Sequence, residues 1–513
     1  MLKKNISSLV FCFLIIILFK PTWLLNNQDL GVGGDDMSYW LHSATLTYDL
    51  DINYVDDYQF SHMNYHPETN TPAHPPGSGY ATAIFVKIFS FFDSSVNIDD
   101  IRNNPVGSYS LLGYMFGSMF FCLMGFYFFN KLLDCKGLIV NKKIIFLLIY
   151  CSTLVHFVTN RFVMAHSFEF LLAVLILYNL ETKDNLFKTE NFLMLVFLYF
   201  LLAITRPSTF IYTLCLIGVY INKFELKQNY IWKNFLIILV SGISYYSLAM
   251  KLYNENNILI NLSSNSTTSG SQNLINLEQI INGISEIPLL FFSSSLGIVW
   301  STPVVFIGII CIFLNKNYFE KYNLFNKFFI LLYFVGSFLV LIVWQGIEAS
   351  FGQRLLIGLL PFCSYQICIY FNKKNTSFLI IFVFISFIGN LYLYSSSNLT
   401  LKFGPTLWGT VIDWAAEDYY YFLILEMFNI QNIGSVFSRT IFFIDLVYFT
   451  ELVENLEVVN ILSKERYLNF MQYTKTYNNL SFRYLAILNI IIFLHSFVFE
   501  KITRDKKDKP SIK

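Results

Sequence analysis

The sequence is poor in charged side chains. Only 13% of its 513 residues are Asp, Glu, Lys or Arg, whereas 55% are hydrophobic. Soluble domains have about 25% charged residues, so water cannot be the main solvent of this chain. The formal net charge of +1 says nothing about partners, because in a membrane protein the sidedness of Lys and Arg carries that information rather than the total. We expect no nucleic-acid partner.

The sequence also has no cysteine pair in a predicted outer loop and no visible internal repeat. Each cysteine lies in an apolar run or in a segment that we place inside the cell, so no predicted outer loop contains a disulfide pair. We interpret the thiols as small buried hydrophobes rather than redox centres or metal ligands. No internal repeat of the kind found in many secondary transporters is visible. The cysteines are Cys12, Cys122, Cys135, Cys151, Cys215, Cys311, Cys363 and Cys368.

Long apolar runs recur from Leu9 to Phe499. The first, Ile6 to Leu25, is interpreted as an uncleaved helix because Lys20-Pro21 is a poor cleavage site and further runs follow. Each run is long enough for a bilayer core of about 30 Å. With the first run, these segments predict an all-α polytopic membrane protein of roughly twelve transmembrane helices. The further spans lie near 107–130, 143–160, 166–180, 191–205, 208–222, 233–252, 287–314, 328–345, 355–371, 376–395 and 482–499.

The placement of Lys and Arg supports one orientation. Basic residues recur in every second loop, whereas none lies between Lys251 and Lys316. The positive-inside rule therefore predicts a multi-pass protein of the cell membrane, in a bacterium the inner membrane, with both termini cytoplasmic. The basic residues on the predicted inner side are Lys136, Lys142, Lys143, Lys183, Lys188, Lys223, Lys227, Lys233, Lys316, Lys321, Lys327, Lys373, Lys374, Lys501, Arg504, Lys506, Lys507 and Lys509.

Three predicted outer segments, 26–106, 253–286 and 396–481, are too long to be simple connectors, so we expect function to concentrate there. The segment 253–286 is rich in Asn and Ser and is interpreted as a flexible loop that could order over a substrate. The predicted organisation is a catalytic transmembrane domain, 1–395, followed by a small outer-face segment of unknown role, 396–481. The last transmembrane helix and a basic cytoplasmic tail, 482–513, complete the chain.

The first outer loop, 26–106, contains eleven acidic residues against Lys87 and Arg102, a net charge of −9. The acidic pair Asp35-Asp36 follows three glycines at the predicted membrane exit of the first helix. Two adjacent carboxylates repel each other, which suits one of them to take a proton from a hydroxyl group. The pair is therefore a candidate general base. Metal ligation and helix capping are the open alternatives.

Polar and aromatic residues follow the acidic pair at helical spacing. Asp36, Tyr39, Trp40 and Ser43 would share one face of a short helix, which we interpret as an amphipathic shelf at the membrane interface. Further on, His66-Pro67 and the proline-rich run from Pro72 to Gly77 predict a stiff, non-helical stretch.

That stretch would hold His74 near the membrane surface. The alternative is a stiff connection to the apolar segment 80–92.

Arginines on the outer side are candidate anion ligands. Arg354 ends a turn that contains Glu348 and Gln353, and an arginine at that depth is costly unless it binds something. Its planar guanidinium could bind a lipid phosphate, and the alternative is a salt bridge to Glu348 or to an acid of the first loop. Arg206, at the outer turn of a helix hairpin, and Arg161 are further candidates of the same kind.

Several of these motifs resemble those of bacterial GT-C membrane glycosyltransferases, relatives of protein O-mannosyltransferases and aminoarabinose transferases. Their order and sidedness agree over about residues 1–395. The matching motifs are Gly34-Asp35-Asp36-Met37-Ser38-Tyr39-Trp40, Leu46 to Ile52, His74-Pro75-Pro76-Gly77, Thr205-Arg206-Pro207, Ser295 to Pro303, and Phe351-Gly352-Gln353-Arg354 through Pro361.

The resemblance implies a GT-C fold, a polyprenyl-phosphate-linked sugar donor, and transfer outside the cytoplasm with Asp35 activating the acceptor. Asp36 stands where relatives commonly have Glu, and His74 stands where some have Lys. Asp35 and Asp36 are the expected catalytic residues, and Arg354, His74 and Arg206 the expected ligands of the donor phosphate. The expected substrate-pocket residues are Tyr39, His66, Glu348 and Gln353.

The predicted function is inverting transfer of a sugar from a polyprenyl-phosphate carrier to a glycan, lipid or protein acceptor. No soluble nucleotide is needed, and a divalent metal is possible. One rival is a transporter or flippase of an anionic glycolipid, which would need no general base. The other is a glycan polymerase or ligase that uses a diphosphate-linked oligosaccharide.

Overall fold

The structure, a computed structural model, is entirely helical where it describes the chain. Of the described residues, 79% are helical and none lies in a strand, which confirms the all-helical class. The described residues are 35–54, 72, 74–93, 96–105, 108–150, 152–159, 161–184, 186, 189–220, 291, 298–315, 324–345, 351–374 and 376–383.

Most of the described helices follow one another with short connections. In chain order they are α1 (Asp35–Tyr48), α2 (Gly77–Ser90), α3 (Ile98–Asn103), α4 (Tyr109–Cys135), α5 (Lys142–Tyr150), α6 (Leu154–Thr159), α7 (His166–Thr182), α8 (Thr189–Thr205), α9 (Pro207–Val219), α10 (Ile298–Ser301), α11 (Pro303–Leu314), α12 (Leu324–Gln345), the 3₁₀ helix Phe351–Leu359 and α13 (Leu360–Tyr370).

The chain divides into two compact units. One comprises Gly31–Pro105 and Tyr109–Ser397, and it contains every described residue except Ser108. The other comprises Met1–Leu30, Val106–Ser108 and Asn398–Lys513. The predicted first helix, the spans 233–252 and 482–499, and the outer segments 253–286 and 396–481 all lie outside the described residues.

Prolines mark where three helices begin. Pro207, Pro303 and Pro361 occupy the first turns of α9, α11 and α13. Proline fits there because the amide that it lacks would have no partner within the helix, and because its fixed φ angle suits the helix. The predicted hairpin at Arg206-Pro207 is confirmed, since α8 ends at Thr205 and α9 begins one residue after Arg206.

The predicted span 143–160 is not one continuous helix, because the structure divides it into α5 and α6. Ser152 lies in the turn between them. Its hydroxyl donates to the carbonyl of Ile149 and accepts from the amide of Leu154, at 3.3 Å. Serine side chains offer the backbone such local hydrogen bonds in place of the helical ones. Apolar composition alone did not reveal this break.

The helix α4 is the longest of the described part and the centre of its packing. It has 27 residues, and among the described helices it is the one that is long and apolar enough to cross a membrane. The helices α2 and α7 pack along it, while α9 packs on α12 and α11 on α13. Gly113 and Gly117 lie one helical turn apart on the side of α4 that faces Phe85 of α2. Small residues at this spacing let helix backbones approach closely.

We expect Gly113→Ala to destabilise the α2–α4 contact. The added methyl carbon would lie 2.6 Å from the backbone oxygen of Phe85, so the two backbones must move apart. Overpacking of this kind costs about 1–3 kcal/mol. The thermal unfolding midpoint in detergent should fall by several degrees.

The matched control for this substitution is Gly336→Ala in α12. Its methyl carbon would lie at an ordinary 3.5 Å from the Tyr212 side chain. Replacement of a helical glycine by alanine is otherwise favourable, so this variant should be as stable as the wild type or slightly more stable. Equal stability of the two variants would show that the close α2–α4 approach is not required.

Candidate functional site

The helix α1 carries the acidic pair. It begins at Asp35, which confirms the predicted short helix at this point. The predicted amphipathic shelf is wrong, because α1 is buried on all sides from Asp36 to Thr45. The helix α2 packs along α1. In addition, the indole of Trp40 packs against Tyr114 of α4 and donates to the carbonyl of Arg102 at 3.2 Å.

Asp36 forms an ion pair with Arg161. Its Oδ2 atom accepts from Arg161 Nη2 at 2.7 Å and from Nε at 2.9 Å. Arg161 comes from the connection between α6 and α7, more than a hundred residues away in sequence. The two side chains are 3% and 16% exposed, so little water screens them. The acid also lies in the first turn of α1, where the helix dipole favours a negative charge.

Arg206, Tyr39 and His74, three of the predicted site residues, lie together. Nη1 of Arg206 donates to the hydroxyl of Tyr39 at 3.4 Å. The Tyr39 ring stacks on the His74 imidazole with centroids 5.2 Å apart and planes 13° apart. Arg206 precedes α9, whereas His74 lies in the non-helical residues before α2. The structure thus brings the proline motif of the first loop next to the mid-chain turn. This contact is compatible with both interpretations of the stretch around His74, namely that it holds His74 near the membrane surface or that it is a stiff connection to the segment 80–92.

A buried acid that the sequence analysis did not single out, Glu169, lies beside Arg206. It is fully buried in α7 and accepts from His166 Nδ1 at 2.8 Å. The guanidinium Nε of Arg206 is 3.8 Å from its carboxylate, and the Thr209 hydroxyl also donates to it. A glutamate inside a predicted transmembrane span is a functional-site candidate by default, so the signal was present in the sequence.

Arg354 lies near the connection that provides Arg161. Its Nη1 atom is 3.9 Å from the sulfur of Met164, in the residues just before α7. Arg354 belongs to the 3₁₀ helix Phe351–Leu359, whose remaining residues from Leu355 onwards are buried. The third predicted phosphate ligand is therefore placed close to the start of α7.

The neutral His42 links α1 to the proline motif. Its Nε2 atom donates to the carbonyl of His74 at 2.6 Å, and its Nδ1 atom accepts from the Tyr54 hydroxyl at 2.6 Å. The Tyr54 oxygen, 2.6 Å from that of Tyr80, then accepts from the Tyr80 hydroxyl. Burial lowers the pKa of His42 from 6.5 to about 3. The uncharged ring therefore holds the backbone of His74 in place.

Several predicted residues remain untested. His66 and Glu348 lie outside the described residues. Asp35 and Gln353 have described backbones, in α1 and in the 3₁₀ helix, but their side chains are not among those described. Within the described part of the chain, no group of three or more His, Cys, Asp or Glu residues could hold a metal ion. The possible divalent metal stays a prediction.

No family model matches the chain, and no curated protein or solved structure matches it either. The class of this protein is therefore described from its own structure alone. The described residues form an all-helical protein in which two buried acids each face a partly buried arginine, Asp36 with Arg161 and Glu169 with Arg206, and we call these four residues the charge cluster.

The Asp36–Arg161 pair predicts a non-additive response to substitution. Asp36→Asn alone removes the negative charge that faces the guanidinium, and loss of one partner of a buried pair costs about 3–5 kcal/mol. Replacing both residues, Asp36→Asn with Arg161→Gln, should cost less than the sum of the two single changes. Thermal unfolding of the three variants in detergent measures the difference. If the effects are simply additive, the two residues do not depend on each other.

His42 predicts an acid-sensitive fold. The folded state leaves His42 unprotonated down to pH about 3, whereas the unfolded chain binds the proton below about 6.5. Its contribution is therefore complete above pH 6.5 and is lost as the pH falls towards 3, by up to about 1.4 kcal/mol per unit.

The variant His42→Gln keeps one donor and one acceptor but cannot titrate. Its unfolding midpoint should fall less between pH 7.5 and pH 5 than that of the wild type. Parallel decreases in the two proteins would refute the assignment of a neutral, buried imidazole.

Proposed function

We propose that this protein is a GT-C-type membrane glycosyltransferase of roughly twelve transmembrane helices. It transfers a sugar from a polyprenyl-phosphate carrier to a glycan, lipid or protein acceptor at the non-cytoplasmic face. One observation carries the proposal: the helix that begins with the acidic pair meets cations from distant parts of the chain. Asp36 pairs with Arg161, while Tyr39 of the same helix contacts Arg206 and His74.

The exposed surface of the described helices supports a bilayer environment. Large apolar side chains recur on their outer faces at the spacing of helical turns, and soluble proteins rarely expose large contiguous patches of such residues. Lipid chains would cover these faces, as composition and charge sidedness suggest. Examples are Leu193, Met194 and Phe197 on α8, Ile310, Phe313 and Leu314 on α11, and Phe328, Leu331 and Val335 on α12.

The proposed chemistry is a single inverting displacement. Asp35 takes the proton of an acceptor hydroxyl or amine as the acceptor atom bonds to the anomeric carbon. The bond from that carbon to the phosphate oxygen breaks, and the carrier phosphate leaves with the electron pair. Arg354, Arg206 and His74 stabilise its negative charge.

Asp36 has a different part in this scheme. Its charge is already compensated by Arg161, so it serves to fix the start of α1, and Asp35 is the better general base. The two adjacent acids therefore have separate roles in this scheme. The ion pair with Arg161 also explains how both carboxylates can be ionised, because the positive charge of Arg161 reduces their mutual repulsion.

The test is sugar transfer by purified, membrane-reconstituted Asp35→Asn and Arg354→Ala, with the polyprenyl-phosphate sugar that co-purifies with the protein as donor. Loss of a general base should lower turnover by about 10²–10⁴-fold with little change in KM. Loss of Arg354 should also weaken the use of the donor. The control is Asp100→Asn, an exposed acid of the same loop outside the matching motifs, which should keep wild-type activity.

Full activity of both Asp35→Asn and Arg354→Ala would exclude the proposed mechanism. A glycolipid transporter predicts a different pattern, in which Arg354→Ala impairs lipid movement and Asp35→Asn does not. A ligase that uses a diphosphate-linked donor would release the carrier as a diphosphate.

A further inference from the structure

Glu169 joins several elements of the candidate site. Its carboxylate accepts from His166 of its own helix and from the Thr209 hydroxyl of α9, and it faces the backbone amide of Gly358 in the 3₁₀ helix. The guanidinium of Arg206 lies 3.8 Å away. The side chain has no exposure to solvent, so these groups replace all the water that an ionised carboxylate would otherwise bind.

The contacts of Glu169 fix the start of α9, and with it Arg206. Arg206 is the residue before α9, and its own side chain makes no capping hydrogen bond. Thr209, in the first turn, instead donates its hydroxyl to Glu169. A carboxylate at this end of a helix is favoured by the helix dipole. Glu169 thus supplies, from α7, the negative charge for both the α9 terminus and the guanidinium next to it.

The same carboxylate anchors the 3₁₀ helix, and with it Arg354. The backbone amide of Gly358, which faces this carboxylate, is four residues after Arg354. The Tyr212 hydroxyl adds a second link, because it donates to the carbonyl of Leu355 at 3.2 Å. The approach is close: a side-chain carbon at Gly358 would lie 2.3 Å from a methyl carbon of Thr209. Glycine is therefore required for the 3₁₀ helix to reach this position.

We propose that Glu169 is the positioning residue of the donor-phosphate site: one buried carboxylate sets the spacing of Arg206 and Arg354 by binding the start of α9 and the 3₁₀ helix together. This inference rests on the proposed function only in naming a carrier phosphate as the ligand of the two arginines. Glu169 itself takes no part in the displacement.

Glu169→Gln is the informative substitution. It keeps the shape of the side chain but removes its charge and turns one acceptor into a donor. Four donors face the carboxylate, whereas the amide of glutamine has one oxygen with two lone pairs, so it cannot accept from all of them. Glu169→Asp keeps the charge but is one methylene shorter, and we expect an intermediate effect from it.

A matched control lies on the same helix. Glu181, near the other end of α7, is also buried and also bound by a cation and a hydroxyl, Lys136 Nζ at 2.8 Å and the Tyr220 hydroxyl at 2.6 Å. Glu181→Gln therefore makes the same chemical change in a similar environment. It does so away from α1, Arg206 and the 3₁₀ helix.

The experiment measures two quantities on each purified variant in detergent. Hydrogen–deuterium exchange measures how strongly the backbone amides of 206–212 and 354–359 are protected from solvent. Titration with undecaprenyl phosphate, followed by native mass spectrometry, measures the Kd for a carrier phosphate. In Glu169→Gln we expect exchange in both segments to accelerate about tenfold or more, because hydrogen bonds to a charged group are lost. We also expect the Kd for undecaprenyl phosphate to rise about tenfold, whereas Glu181→Gln should change neither quantity.

The direction of the binding change separates positioning from simple charge balance. Removing a negative charge beside Arg206 should by itself strengthen the binding of an anion, so weaker binding supports positioning. Tighter binding, unchanged exchange in the two segments, or an equal effect of Glu181→Gln would overturn the inference. If the wild type binds no undecaprenyl phosphate but Glu169→Gln still accelerates exchange in both segments, the positioning role stands and the proposed donor is wrong.

Discussion

The ion pair between Asp36 and Arg161 is the interaction on which the arrangement of the candidate site depends. A charge removed from water must be compensated by a partner, and here the partner comes from a distant connection between helices. By satisfying Asp36, Arg161 fixes the start of α1 against the start of α7. Tyr39, one turn further along α1, then lies within reach of Arg206.

The same constraint is met a second time by Glu169 and Arg206. Both carboxylates are buried, so each depends on donors of the protein in place of water. Substitution of any one member of the charge cluster should therefore affect more than its direct partner, because these contacts also position the helices that follow the two arginines, α7 and α9. Such rigid support from neighbouring residues is what a site needs if it is to hold a phosphate and an acceptor in a fixed geometry.

Part of this arrangement could be predicted from the sequence. The spacing of Asp36 and Tyr39 predicted the helix α1, and Pro207 predicted the hairpin at Arg206. Pairings between distant residues could not be predicted, because periodicity reports the face of a helix but not its neighbour. Burial of α1 on every side was missed for the same reason. Glu169 could have been found, since an ionisable residue within an apolar run is costly and needs an explanation.

The central claim is that the protein uses a sugar linked to a polyprenyl monophosphate. Mass spectrometry of the lipid that co-purifies with the full chain, extracted under mild detergent conditions, tests this claim most directly. The proposed function predicts a polyprenyl phosphate bearing one sugar, bound to the wild type and depleted from Arg354→Ala. A diphosphate-linked oligosaccharide in its place, or an equal amount of the lipid on both proteins, would contradict it.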